Sequence, residues 1–202
     1  MWKTKSGFFL FESEFPIEIG YILHSAGNPY KEIVFLKQIH SNIVVDIDHE
    51  ERKIGDGLYT KSPGIPLGIR VADCLPIYFF DAEVTTIGIL HAGWQGTLNR
   101  IGARINQMFE EYYYIFGPAI GRDCYEIGPN LALRFKDDFG HEVIKLSGDR
   151  YYLDLKKANE KILEGKKLGD LEICTHCDLR FSSFRRDGNQ AGRDIAFITL
   201  LR

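Results

Sequence analysis

Nowhere in its 202 residues does this sequence hold an unbroken apolar run near the roughly 18 residues that a membrane-spanning helix needs. Charge of one sign is equally scarce, with 25 Lys and Arg against 28 Asp and Glu and a net charge of -3. Such a balance removes the electrostatic drive for nucleic-acid binding as the main activity and leaves room only for a local basic patch. Repeats, low-complexity tracts and linker-like stretches are missing, so one domain over residues 1–202 is expected. The opening MWKTKSGFFLFESEF carries two lysines and a short apolar stretch, but acids interrupt it at once and no small-residue cleavage site follows. A cytoplasmic, soluble protein is the expectation, working as a monomer without nucleic acid or membrane. Cysteine is sparse too. The four present, Cys74, Cys124, Cys174 and Cys177, are too few and too unevenly spread to staple a chain this long. In a reducing compartment each is buried filler, a nucleophile or a metal ligand.

What the sequence does have is apolar and aromatic mass: 45% hydrophobic residues, with 14 Phe and 10 Tyr, which sustains a packed core and excludes global disorder. Strand-length runs rich in β-branched or aromatic residues recur between Gly, Pro, Asn and Asp. They are Gly7 to Phe11, Ile33 to Leu36, Ile43 to Ile47, Leu67 to Val71, Ile77 to Phe80, Thr86 to Leu90, Tyr113 to Phe116 and Ile195 to Leu201. Helical spacing places Leu98, Ile101, Ile105, Met108 and Phe109 on one face of a helix predicted over Thr97 to Tyr112. A second helix is predicted from a capping Asp154 to Glu164, and a third from Asn130 to Phe139. Strands outnumber helices and often follow one another directly. The pattern predicts an α/β chain of α+β character, a mixed sheet with helices packed on it.

Reactive side chains gather where these strands stop. Lys37-Gln38-Ile39-His40 ends one strand, Ala72-Asp73-Cys74 ends another, and His91-Ala92-Gly93-Trp94 ends a third just before a helix. A rigid strand fixes such a side chain while the loop leaves room for a ligand. One thiolate and two imidazoles, His40, Cys74 and His91, form a donor set that suits zinc and keeps a fourth tetrahedral position open. A metal there lowers the pKa of bound water or polarises a substrate oxygen. Two other readings stay open: Cys74 as a nucleophile with His91 as its base, without metal, or ordinary buried and hydrogen-bonded residues.

Cys174-Thr175-His176-Cys177 has the local spacing for half a structural zinc site or for a redox pair. No second C-x-x-C exists, and Cys124 is the one unclaimed thiol, so the segment reads first as a loop with ordinary thiols. The loop from Phe181 to Arg193 concentrates Arg185, Arg186 and Arg193, whose forks suit phosphate or carboxylate and equally suit neighbours such as Asp187 and Asp194. Gly117-Pro118-Ala119-Ile120-Gly121 permits backbone approach to an anion but matches no phosphate-loop pattern.

In order along the chain, KQIHS at 37–41, GDGLYT at 55–60, ADCLPI at 72–77, HAGWQG at 91–96, GPAIG with YEIG at 117–128, CTHC at 174–177 and FRRDG with GR at 184–193 resemble the YfiH-like family. This family is also called laccase-domain or polyphenol oxidase-like proteins and, in bacteria, peptidoglycan editing factors. The resemblance implies a single α/β domain related to the cytotoxic necrotizing factor catalytic fold. It implies zinc held by His40, Cys74 and His91, with purine nucleoside and phosphate as partners. The implied reactions are phosphorolysis of adenosine, inosine and 5'-methylthioadenosine and hydrolytic deamination of adenosine. Cys74, His91 and Asp73 are then the candidate catalytic residues, with Gln38, Arg186 and Arg193 as candidate substrate contacts.

Departures from the family pattern are Gln95 where an Arg commonly stands, SSFRRDG in place of FFSYRRDG, and GDGLYT in place of GDAL-V-T. Alternative activities are a metal-free Cys-His hydrolase or deamidase, a cell-wall quality-control role, and copper-dependent polyphenol oxidation. Copper is the less favoured metal, because six histidines with no His-x-His pair are few for a multicopper oxidase.

Overall fold

The computed structural model describes residues 2–5, 7–27 and 32–201. The strands, in chain order, are β1 (Trp2–Lys5), β2 (Phe8–Phe11), β3 (Ile17–Ile22), β4 (Val34–Phe35), β5 (Val44–Asp46), β6 (Gly57–Thr60), β7 (Leu67–Val71), β8 (Leu75–Asp81) and β9 (Ile87–Ala92). Helices α1 (Trp94–Leu98) and α2 (Ala103–Met108) follow, then β10 (Tyr112–Phe116), β11 (Glu126–Ile127) and α3 (Pro129–Phe139). The chain continues through β12 (Ile144–Ser147), β13 (Arg150–Leu153), α4 (Leu155–Glu160), β14 (Lys166–Asp170), α5 (Phe184–Asp187) and β15 (Asp194–Leu200).

One six-stranded sheet has the order β1-β2-β3-β15-β7-β4, and a second has β14-β10-β8-β9-β6-β5. Most neighbours are antiparallel, but β4/β7, β5/β6 and β10/β14 run parallel, so both sheets are mixed. A three-stranded sheet, β11-β13-β12, completes the set. The architecture is α+β, as expected, but with several sheets where the sequence predicts one.

Strand alternation explains the layering. On β8, Tyr78 and Phe80 point into a cluster shared with Ile19, Tyr21, Leu67, Ile69 and Ile198 of the first sheet. Leu75, Ile77 and Phe79, on the opposite face, pack with Ile101, Ile105, Phe135, Leu155 and Ala158 from the helical side. The central strand is therefore buried on both faces, which is why its sequence LPIYFFD reads as a near-continuous apolar run. Each such fully buried side chain contributes about 1.5–3 kcal/mol. Close packing goes furthest at Gly88, opposite Phe79 in the β8/β9 register, where a Cβ would overlap the Phe79 ring.

The helix predicted over Thr97 to Tyr112 is two short helices instead. Arg100 adopts φ 54, in the left-handed region that a continuous helix forbids, and Phe109 is already extended before β10 begins. Ile101 and Ile105 still reach the core, so the apolar spacing reports burial across a broken helix. Asp154 does cap α4, accepting from the Lys157 amide at 2.9 Å, but that helix closes at Glu160. Over the third predicted helix, α3 begins one residue earlier, with Pro129 in its first turn.

Candidate active site and metal centre

Antiparallel pairing of β8 and β9 puts Leu75 opposite Ala92 and Pro76 opposite His91. Cys74, which precedes β8, thus lies beside His91 near the end of β9. Register along the next strand brings Gly57 opposite Leu90, so Asp56 faces His91, whose amide donates to the Asp56 carbonyl at 2.6 Å. His40 comes from the segment after β4. Its rings and those of His91 are 5.0 Å apart in an edge-on arrangement. One donor atom from each of His40, Cys74 and His91 lies within 4.8 Å of the others. These are the three ligands expected from the sequence, and the fold brings them together.

Asp56 organises this trio, although the sequence reading gives it no role. Its carboxylate accepts from the amides of Ile39, His40 and Ser41, from the Ser41 hydroxyl at 2.7 Å, and from His91 Nδ1 at 2.9 Å. Backbone contacts hold His40 at φ 59, a left-handed conformation that side-chain-bearing residues adopt only under constraint. The bond to Nδ1 commits that nitrogen and leaves His91 Nε2 for a ligand, the arrangement by which carboxylates orient metal-binding imidazoles. Burial alone would raise the Asp56 pKa, but the hydrogen bonds from His91 and Ser41 prevail and hold it below the usual carboxylate range. A sequence signal existed only as the Asp within GDGLYT.

Electrostatics favour a thiolate. Burial disfavours charge on Cys74, yet His91 and His40 outweigh it and bring the thiol down to about 6. The converse holds for His91: burial opposes its charge, and the Cys74 sulfur and the Asp56 bond lift it to about 9. A negative sulfur thus sits where a positive charge is stabilised, which is the requirement for cation binding. The donor set, one sulfur and two imidazole nitrogens, fits zinc with an open coordination position. Space for it is tight on one side: a Cβ on Gly93 would stand 2.9 Å from Cys74 Sγ and 3.3 Å from His40 Cδ2.

These residues open into a cavity of about 640 Å³ whose walls include Lys37, Arg70, Arg185 and Arg193 beside the aromatic rings of Trp94, Tyr125 and Phe184. Asp73, the carboxylate among the lining residues, is not free. It accepts from the Thr175 hydroxyl at 2.7 Å, the Ser183 hydroxyl at 3.1 Å and the Arg185 amide at 2.7 Å. It therefore ties three loop segments together from a strained φ of 82.

Gln38 lines the cavity but spends both ends of its amide on the Arg70 backbone, at 2.9 and 2.8 Å. Arg186 is not among the lining residues: its guanidinium donates to the Thr175, His176 and Phe181 carbonyls and to the Asp187 carboxylate. Arg185, its neighbour, faces the cavity instead, over the Tyr125 ring at 5.2 Å. Arg193 lines it too, with Nη1 bonded to the Ala191 and Gly192 carbonyls. Gln95 is exposed and outside the lining.

Residues 20–201 match the family model described as multi-copper polyphenol oxidoreductase laccase. A purine nucleoside phosphorylase of Deinococcus radiodurans is 40% identical over 177 residues, covering 83% of this chain and 70% of that protein. A purine nucleoside phosphorylase of Clostridium acetobutylicum is 31% identical over 183 residues, covering 83% of this chain and 77% of the relative. Among solved structures, YlmD from Geobacillus stearothermophilus superposes with a TM-score of 0.85 at 23% identity, over 100% of this chain and 99% of the other. The YfiH protein of Bacillus licheniformis gives 0.84 at 22% identity, over 98% of each chain. Both structures share the fold.

Proposed function

Since the chain belongs to the multi-copper polyphenol oxidoreductase laccase family, in its YfiH-like branch, we propose that it is a zinc-dependent purine nucleoside phosphorylase. The observation that carries this reading is the composition of one cavity: a His-Cys-His donor set, four cationic side chains and three aromatic rings, with the Asp73 carboxylate already engaged. The names of the relatives at 40% and 31% identity support it.

A purine is a flat, weakly polar plate, and Trp94, Tyr125 and Phe184 offer faces on which it stacks. Phosphate is a dianion, and Lys37, Arg70, Arg185 and Arg193 supply the charge-assisted donors that hold it. In phosphorolysis a phosphate oxygen bonds to the anomeric carbon of the ribose while the carbon–nitrogen bond to the base breaks. The base leaves with that electron pair and takes up a proton. Zinc on His40, Cys74 and His91 would supply Lewis acidity, polarising an oxygen in the cavity. Asp56 keeps His91 oriented, and Asp73 acts as a positioning residue, holding the Arg185 backbone and the Thr175 loop at the rim. Deamination of adenosine would use the same cavity, with water replacing the amino group and ammonia leaving. On this reading the chain is one catalytic domain, related to the cytotoxic necrotizing factor fold, that acts in the cytoplasm on small molecules.

A Cys-His hydrolase reading has one observation in its favour, the mutual charge stabilisation of Cys74 and His91. Metal analysis separates the two. The proposal expects zinc rather than copper in the purified protein, and expects His91→Ala to lose the metal of this site together with phosphorolysis. Full activity in His91→Ala, or a metal-free wild type whose Cys74 is labelled stoichiometrically by a thiol reagent, would overturn it.

A further inference from the structure

The three remaining cysteines come together around Thr175, whose hydroxyl bonds Asp73. Loop 117–125 and loop 171–178 lie side by side, joined by the Ala119–Cys174 bridge and by the Thr175 amide donating to the Ala119 carbonyl at 3.1 Å. Within the second loop, the amides of Cys177 and Asp178 both donate to the Cys174 carbonyl, a tight turn that returns Cys177 toward Cys174. Cys124 Sγ is 3.1 Å from Cys177 Sγ, and one ligand atom each from Cys124, His176 and Cys177 lies within 4.8 Å of the others. Cys174 Sγ accepts from the Gly121 amide at 3.1 Å, the kind of bond that stabilises a coordinated thiolate. At Gly121 a Cβ would stand 3.1 Å from that sulfur, tighter than an ordinary contact, so a side chain there would press on the cluster.

His176 supplies the independent sign of a ligand. Its Nδ1 is buried and has no hydrogen-bond partner, a desolvation cost that a bound cation would remove.

We propose that Cys124, Cys174, His176 and Cys177 form a second metal site, a structural one that takes zinc. A Cys₃His set is a closed tetrahedral environment with no position left for substrate, unlike the open trio at the cavity. Its place in the fold gives it a task. Thr175, inside the C-x-x-C turn, donates its hydroxyl to Asp73, and Arg186 clamps the Thr175 and His176 carbonyls. The metal would fasten loop 117–125, which ends in Tyr125, to the loop that leads into Phe184 and Arg185, so that the cavity rim keeps its shape. The C-x-x-C segment, read from sequence as a loop with ordinary thiols for want of a second pair, thus finds its missing donors in Cys124 and His176.

The test counts metal in protein purified under reducing, oxygen-free conditions. Wild type should hold about two zinc ions per chain, and Cys74→Ala and Cys124→Ser/Cys177→Ser about one each. Cobalt exchanged into Cys74→Ala should give an intense sulfur-to-cobalt charge-transfer band, because every remaining sulfur ligand then belongs to the second site. This spectrum decides the matter even where the double variant does not fold. Cys74→Ala protein without bound metal or without that band overturns the proposal, as does a Cys124–Cys177 disulfide found by peptide mass analysis of the protein as isolated. A wild type that holds only one zinc, retained in Cys74→Ala, would support the second site while removing the first.

Discussion

With its two oxygens accepting from three consecutive amides, a hydroxyl and the His91 ring, Asp56 fixes the backbone of one candidate metal ligand and the ring of another. Asp56→Asn keeps the volume but puts an NH₂ where donors already point. Metal affinity at the His40-Cys74-His91 site should fall roughly 10- to 100-fold, the usual cost of losing such a supporting carboxylate. Competition with a chromophoric chelator measures it, and unchanged affinity would mean that the His91 orientation is set elsewhere. That His40, Cys74 and His91 meet was suggested by a thiol and two imidazoles at strand ends, and the family resemblance made them the favoured donor set over a metal-free Cys-His pair. Asp56 was not legible, since an Asp beside a Gly is ordinary turn chemistry until pairing of β6 with β9 places it against His91. The adjacent arginines show the same limit: which of Arg185 and Arg186 faces the cavity depends on the single turn of α5. At the rim, Arg193→Ala should raise the KM for phosphate roughly 10-fold, the scale of one charge-assisted hydrogen bond, with a smaller effect on the nucleoside.

At the scale of elements, the β8/β9 hairpin and the start of α1 make the site. Gly93 is the N-cap of α1 at φ -80, so its backbone tolerates a side chain and only space forbids one. Gly93→Ala should therefore fold with near-native thermal stability yet lose metal from the His40-Cys74-His91 site, because its Cβ meets both Cys74 and His40. Thermal melts alongside elemental analysis check this, and a large fall in Tm would locate the damage in the fold rather than the site. The strand Leu67–Val71 was legible to the residue, since its Leu67, Ile69 and Val71 alternate onto the buried face while Arg70 points out to solvent. β14, Lys166–Asp170, was not: as an edge strand paired only with β10, its KKLGD carries the charge that keeps edges from pairing further. Helical spacing between Leu98 and Phe109 misled for another reason. Two short helices broken at Arg100 keep the same residues inward that one continuous helix would.

For the molecule as a whole, a small net charge of -3 coexists with a cavity rim carrying Lys37, Arg70, Arg185 and Arg193. Local charge of one sign on a nearly neutral body acts over about a Debye length, so it attracts phosphate without drawing in polyanions at long range. The KM for phosphate should therefore rise with added salt while that for the uncharged nucleoside changes little. Equal salt dependence for both would place the anion elsewhere. Stacking of two sheets could not be read from strand content, because composition is the same whether strands share one sheet or two; only register decides it. The most direct measurement is product analysis after the metal-replete protein is incubated with adenosine, with and without phosphate. Adenine and ribose 1-phosphate should form only with phosphate and in proportion to metal bound at His40, Cys74 and His91; absence of both products, or their undiminished formation by metal-stripped protein, would contradict the assignment.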